Sequence, residues 1–167
     1  REKNGLTECG VSVVEEMNRL GMIVDVSHLS DGGFADVLKY SKKPFMATHS
    51  NARNICGVSR NLTDEMLVQL AEAGGVTGMN FCPAFIHESH ITKVAYIVDH
   101  IKHIRNVAGI DVIAMGSDFD GIGGELEVKD MSYTPLIRAA LEREKFTSEE
   151  IDKIFYKNAL GVIKANF

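Results

Sequence analysis

The sequence predicts an α/β fold built on a parallel sheet, and three observations predict it. Four short, largely apolar runs, at 22–28, 44–50, 75–81 and 111–118, alternate with segments of helical periodicity, the pattern of strands buried on both faces. Each run ends in polar residues suited to chemistry: Ser27-His28, Thr48-His49-Ser50, Asn80 and Asp118. Neither GxGxxG nor GxxxxGK[ST] follows any run, which argues against a nucleotide-binding open sheet and favours a barrel.

The elements follow in order. Val13, Val14, Met17 and Leu20 recur at helical spacing and stop at Gly21, where "MIVDVSH" (22–28) begins the first strand. "DGGFADVLKYS" is amphipathic and predicts a helix, and "PFMATHS" (44–50) is strand-like behind a proline. "LTDEMLVQLAEAGG" opens on a Thr-Asp-Glu capping pattern and closes on Gly74-Gly75, leading into the strand "GVTGMNF" (75–81). Apolar residues at 94, 97, 98, 101 and 104 predict a long helix within 91–109, before the strand "DVIAMGSD" (111–118). Two C-terminal helices follow, "TPLIRAALEREKF" and "TSEEIDKIFYKNALGVIKANF", the second with a capping box at Thr147 and Glu150. No linker or low-complexity segment divides residues 1–167, which read as a single piece.

Composition excludes several classes of function. A net charge of −5 without a basic block, in a chain lacking tryptophan, leaves no footprint for nucleic acid. No apolar run approaches the ~20 residues that cross a bilayer, and the first ten residues lack the apolar core of a signal peptide. Cys9, Cys56 and Cys82 are odd in number and widely spaced, which predicts reduced, buried or semi-buried thiols in a reducing compartment, the cytoplasm.

In a parallel α/β fold the carboxyl ends of the strands share one rim, where sites are built. His28 and His49, one strand-helix-strand step apart, can therefore reach a common metal ion, with Asp118 on a later strand end beside them. Each has a plainer role to set against this. A strand-end histidine often only hydrogen-bonds its surroundings, Asp118 can cap its loop, and Asp120-Gly121 reads as turn chemistry. Arg60 can pair with Asp64 and Glu65 at the start of the next helix. His100 and His103 read as helix surface, His87 and His90 as loop surface, and the Met and Phe residues as core filling.

The runs "LGMIVDVSHLS", "PFMATHSNARNICGVSRNLTDEML", "GGVTGMNF" and "DVIAMGSDFDG" resemble, in order and spacing, the membrane dipeptidase (renal dipeptidase) family of the amidohydrolase superfamily. The resemblance covers essentially the whole chain and aligns it with the C-terminal half of such an enzyme. It implies half of a (β/α)₈ barrel, a two-zinc centre and hydrolysis of dipeptides. It further implies that His28 and His49 are metal ligands, that Arg60 holds the substrate carboxylate, and that Asp118 is the catalytic acid/base. The family's His-x-Asp pair, bridging glutamate and additional histidine have no counterpart here, so the zinc site is incomplete in this chain. The expected state is a fragment of a barrel that usually needs ~250 residues, inactive by itself. Its exposed edges would be covered by a missing N-terminal half or by self-association into a homo-oligomer, or the piece would rearrange. Two other readings stand beside this one: an amidohydrolase acting on a different amide, and a non-catalytic half-barrel serving binding or assembly.

Overall fold

A computed structural model describes residues 4–167. Its centre is a three-stranded parallel sheet in the order β1 (Met46–Ala47), β2 (Val76–Met79), β4 (Ile113–Met115). Met46 pairs with Val76, and Gly78 with Ala114. The run 22–28 joins as a fourth parallel neighbour through a single bridge, Asp25 to Met46, and is therefore less regular than its β-branched composition predicts. A second parallel pair, β3 (Ile91–Thr92) with β5 (Glu125–Leu126), has no counterpart in the expected strands. Each of its members is two residues long, too short to carry an alternating pattern.

Helices connect the strands: α1 (Glu8–Leu20), α2 (Asp31–Tyr40), α3 (Asp64–Glu72), α4 (Pro83–Ile86), α5 (Val94–Ala108) and α6 (Thr134–Arg143). After α7 (Ser148–Asp152) the chain passes through a π-turn, Lys153–Lys157, into α8 (Asn158–Asn166). Local chemistry starts these helices where side chains can satisfy free amides. The hydroxyls of Thr7, Ser30 and Thr63 accept from Gly10, Gly33 and Met66, and Thr147 and Glu150 form the predicted capping box. Gly21 ends α1 at φ 76°, a left-handed turn that glycine adopts without strain.

Successive strand residues face opposite sides of the sheet. Ala47, Met79 and Ile113 join the main core with Ile97, Ile101 and Ile104 of α5 and Leu67 and Leu70 of α3. On the other face Val76 and Ala114, with Met46 and Ile23, pack against Ala159 and Val162 of α8. Part of the face that a half-barrel leaves bare is thus covered by the chain's own last helix. The amide of Asn166, buried at the end of α8, donates to Pro44 O (2.9 Å), and Lys43 Nζ donates to Asn166 O (2.6 Å). These bonds pin α8 to the entrance of β1.

Several expectations are corrected. His100 is fully buried rather than on the helix surface. Asp64 bonds His103 Nε2 (2.7 Å), so it is engaged away from Arg60. Cys9 is exposed, whereas Cys56 is buried and Cys82 half-buried. Met22, Met131 and Phe167 are exposed, as are Val13 and Leu20 of the first apolar stripe. Residues 1–3 of the predicted single piece lie outside the described residues.

Candidate metal and catalytic site

Because the four segments run parallel, their carboxyl ends emerge together, and His28, His49, Asn80 and Asp118 each follow one of them by a few residues. The histidines meet directly: His28 Nε2 and His49 Nε2 stand 2.9 Å apart, with ring centroids at 5.0 Å. Arg60 reaches the same point from the loop before α3, its Nη2 lying 3.1 Å from His28 Nε2 and its guanidinium resting over the Phe85 ring. A guanidinium only donates, so His28 Nε2 presents its lone pair here.

A network beneath the rim holds these side chains. Asn80, almost fully buried, donates from Nδ2 to His49 O (3.1 Å) and to Asp118 Oδ2 (3.2 Å), linking the third and fourth strand ends. Asn51 and Asn80 exchange bonds, Asn51 Nδ2 to Asn80 O and Asn80 N to Asn51 Oδ1, both 2.9 Å. Arg53 grips the Arg60 loop at Asn61 O (2.7 Å) and Ser59 O (3.1 Å) while holding Asp31 through a two-pronged pair at 2.7 and 2.8 Å. His100 fastens the loop after β1 from below: its Nδ1 accepts from Ala52 N (3.1 Å) and its Nε2 donates to Ile86 O (2.8 Å). Burial holds this imidazole at a pKa of about 4, outweighing the opposing bond to Ile86 O, so it is neutral near pH 7.

Asp118 has φ 72°, a left-handed conformation unusual for a residue other than glycine. It precedes a 3₁₀ turn at Phe119–Gly121 and lines an open cleft of about 710 Å³ with Ser117, Asp120, Asp130 and Met131. A Cβ on Gly121 would come within 2.6 Å of Asp118 Oδ1, so any larger residue there would push that carboxylate aside.

Asp25 was not singled out from the sequence. Its Oδ1 accepts from Ser27 N (3.0 Å), Ser27 Oγ (2.7 Å) and Thr48 N (3.0 Å), and its Oδ2 from Thr48 Oγ1 (2.6 Å). Burial pushes this carboxyl up, but the bonds from Thr48 and Ser27 outweigh it and hold the group below its ordinary value. One signal pointed to it: Asp25 is a lone carboxylate set between the apolar residues Ile23, Val24 and Val26 of the run "MIVDVSH".

Donor type and position fit a divalent metal such as zinc at the histidine pair. Two imidazole nitrogens converge, and nitrogens sharing one tetrahedral zinc stand roughly 3.3 Å apart, a few tenths beyond the separation here. Among the described residues, no group of three or more His, Cys, Asp or Glu could hold a metal ion. The pair offers two nitrogen donors, fewer than the three or four that zinc takes from a protein.

Comparison with known proteins places this geometry in context. Residues 1–166 match the family model "Membrane dipeptidase (Peptidase family M19)". An uncharacterized dipeptidase of Schizosaccharomyces pombe is 40% identical over 96% of this chain and 39% of its own, and Dipeptidase 3 of Rattus norvegicus is 34% identical over 96% and 33%. A metallo peptidase from Rhodobacter sphaeroides, solved with a phosphinate mimic of the dipeptide L-Ala-D-Ala, superposes with a TM-score of 0.92 at 34% identity, covering 98% of this chain and 48% of that one. The chain thus spans about half the length of that structure and less of these two sequence relatives.

Proposed function

Starting from a chain that belongs to the membrane dipeptidase family, peptidase family M19, we propose that the protein carrying it is a zinc-dependent hydrolase of dipeptides. The observation that supports this most is the convergence of His28 Nε2, His49 Nε2 and Arg60 Nη2 on one point of the strand-end rim. His28 and His49 would hold one zinc of a two-zinc centre, with the other ligands coming from the part of such a protein that this chain does not cover. When bound, zinc supplies Lewis acidity toward water and toward a peptide carbonyl.

The chain's own residues do the rest. Arg60 loses His28 as an acceptor once that nitrogen is a ligand, and its planar fork can then turn to a substrate carboxylate. A free C-terminus one residue beyond the scissile bond suits that fork, which selects dipeptides over longer chains. Asp118 is the acid/base: its carboxylate takes a proton from water and returns it to the departing amine. Asn80 keeps the carboxylate in register with the histidine strand. The remainder of a barrel, or a second copy, would cover the exposed apolar residues Leu20, Met22, Ile163 and Phe167. The reduced thiols fit a cytoplasmic protein, and no described helix is long and apolar enough to cross a membrane.

The test compares hydrolysis of a dipeptide with that of its C-terminal amide by the intact protein, before and after chelation of metal. Strong preference for the free acid, loss on chelation and recovery with zinc are expected. Arg60→Lys should raise KM for the acid about tenfold or more while changing the amide little. Equal rates on acid and amide would remove Arg60 from substrate binding, and indifference to chelation would remove zinc from the reaction.

A further inference from the structure

Three linked side chains, Asp25, Thr48 and His49, run from the strand interior to the histidine pair. We propose that Asp25, acting through the Thr48 hydroxyl, is a positioning residue that fixes the tautomer of His49 and keeps its Nε2 free of a proton for metal. The inference rests on the reading of His49 as a ligand and adds to it the group that makes it one.

Proton bookkeeping carries the argument. The ionised Asp25 carboxylate can only accept, so at 2.6 Å the Thr48 hydroxyl must donate to Oδ2. That spends the only proton on Thr48 Oγ1. The contact of Oγ1 with His49 Nδ1, at 2.7 Å, then has to be donated by the imidazole, which places the neutral ring's proton on Nδ1. His49 Nε2 is left as an acceptor, as is His28 Nε2, whose lone pair takes the Arg60 N–H. With both Nε2 atoms accepting, neither has a proton to give the other across their 2.9 Å approach, an arrangement that a cation shared by the two nitrogens relieves. The chain of bonds thus builds a site for a positive ion before one arrives, in the way outer partners commonly orient ligating histidines.

The carboxylate cannot be replaced by its amide without reversing the chain. Three donors, Ser27 N, Ser27 Oγ and Thr48 N, converge on Oδ1. In Asp25→Asn they would hold the amide oxygen at that position and turn Nδ2 toward Thr48. Thr48 would then accept from Asn and donate to His49 Nδ1, moving the imidazole proton to Nε2.

The experiment reads the tautomer directly, by ¹H–¹⁵N correlation of the histidine rings in the metal-free intact protein, and reads zinc binding by competition with a chromophoric chelator. Expected results are an Nδ1–H signature for His49 in the native protein and in Thr48→Ser, and an Nε2–H signature in Asp25→Asn with zinc affinity lowered 10- to 100-fold. Thr48→Val, which removes the hydroxyl without changing size, should lose the single tautomer and weaken zinc similarly, and it decides the matter if Asp25→Asn does not fold. An unchanged His49 tautomer in both Asp25→Asn and Thr48→Val overturns the proposal. Zinc affinity unchanged in His49→Ala would instead sink the ligand reading beneath it, while the tautomer comparison still reports on the hydrogen-bond chain.

Discussion

Asp118 shows how one side chain can be assigned by separating turnover from stability. Asp118→Asn keeps size and the capacity to accept from Asn80, but it cannot take up and release a proton. In the intact protein kcat should fall ~10²–10⁴-fold with zinc content and Tm nearly unchanged. Full turnover with a lowered Tm would reduce Asp118 to a loop cap, and lost zinc would make it a ligand. His100 gives a prediction in pH. Its folded-state pKa, about 4 against an ordinary 6.5, means that the fold resists protonating it. Its contribution to stability is complete above pH 6.5 and is lost as pH falls through 4, roughly 3 kcal/mol in all. His100→Gln, which can copy both hydrogen bonds without titrating, should flatten that part of a denaturant-midpoint profile. At this scale the sequence singled out, by residue type alone, two histidines and an aspartate at strand ends and an arginine in the loop before α3, and the histidines and the arginine do meet. It was silent on Asp25, whose role appears only when Thr48 is folded beside it, and misleading on His100. The helical stripe at 94, 97, 98, 101 and 104 contains position 100 only as a neighbour, and nothing in periodicity says that Ala52 N and Ile86 O will meet an imidazole there.

At the scale of elements, what brings the site together is the close approach of backbones at β2 and β4. A Cβ on Gly78 would strike the Thr48 carbonyl, and one on Gly116 would come within 2.5 Å of the same atom. Absent side chains let Thr48 and His49 lie tight against their neighbours, with Ser50 N donating to Gly78 O at 2.9 Å. Gly78→Ala should therefore cost about 2 kcal/mol or more in chemical denaturation and shift the His49 ring signals, whereas Gly57→Ala, with open space around it, should do neither. Retained stability in Gly78→Ala would mean that the strand ends can separate without harm. The order and parallel sense of the strands were legible because apolar runs alternate with helical stripes. Strand length was not: the run 22–28 has the composition of a strand, yet it pairs only through the bonds Val26 N to Met46 O and Met46 N to Val24 O about Asp25, because the next amide, Thr48 N, donates to the Asp25 carboxylate instead of continuing the ladder.

For the whole molecule, the chain matches about half the length of the solved metallo peptidase and brings together two histidine nitrogens where zinc takes three or four donors, so in the function proposed above the site is completed from outside this chain. The family motifs made that division legible in advance, while the packing of α8 across the sheet was not, since its apolar residues Ala159 and Val162 carry no sign of which face they will cover. The clasp between Lys43, Pro44 and Asn166 also sets a timetable. It joins residues 122 and 123 positions apart, about four times the span of the β1–β2 pairing, and closing that loop costs about 1 kcal/mol more in chain entropy. Such a contact belongs late on the folding route, after the sheet has formed, and its loss should be felt almost wholly as faster unfolding. Stopped-flow measurements on Asn166→Ala should show refolding close to the native rate and unfolding accelerated in proportion to the lost stability; a slowed refolding limb would put the clasp in the nucleus instead. The last helix would then act as a latch, setting how long the folded chain lasts rather than how quickly it forms.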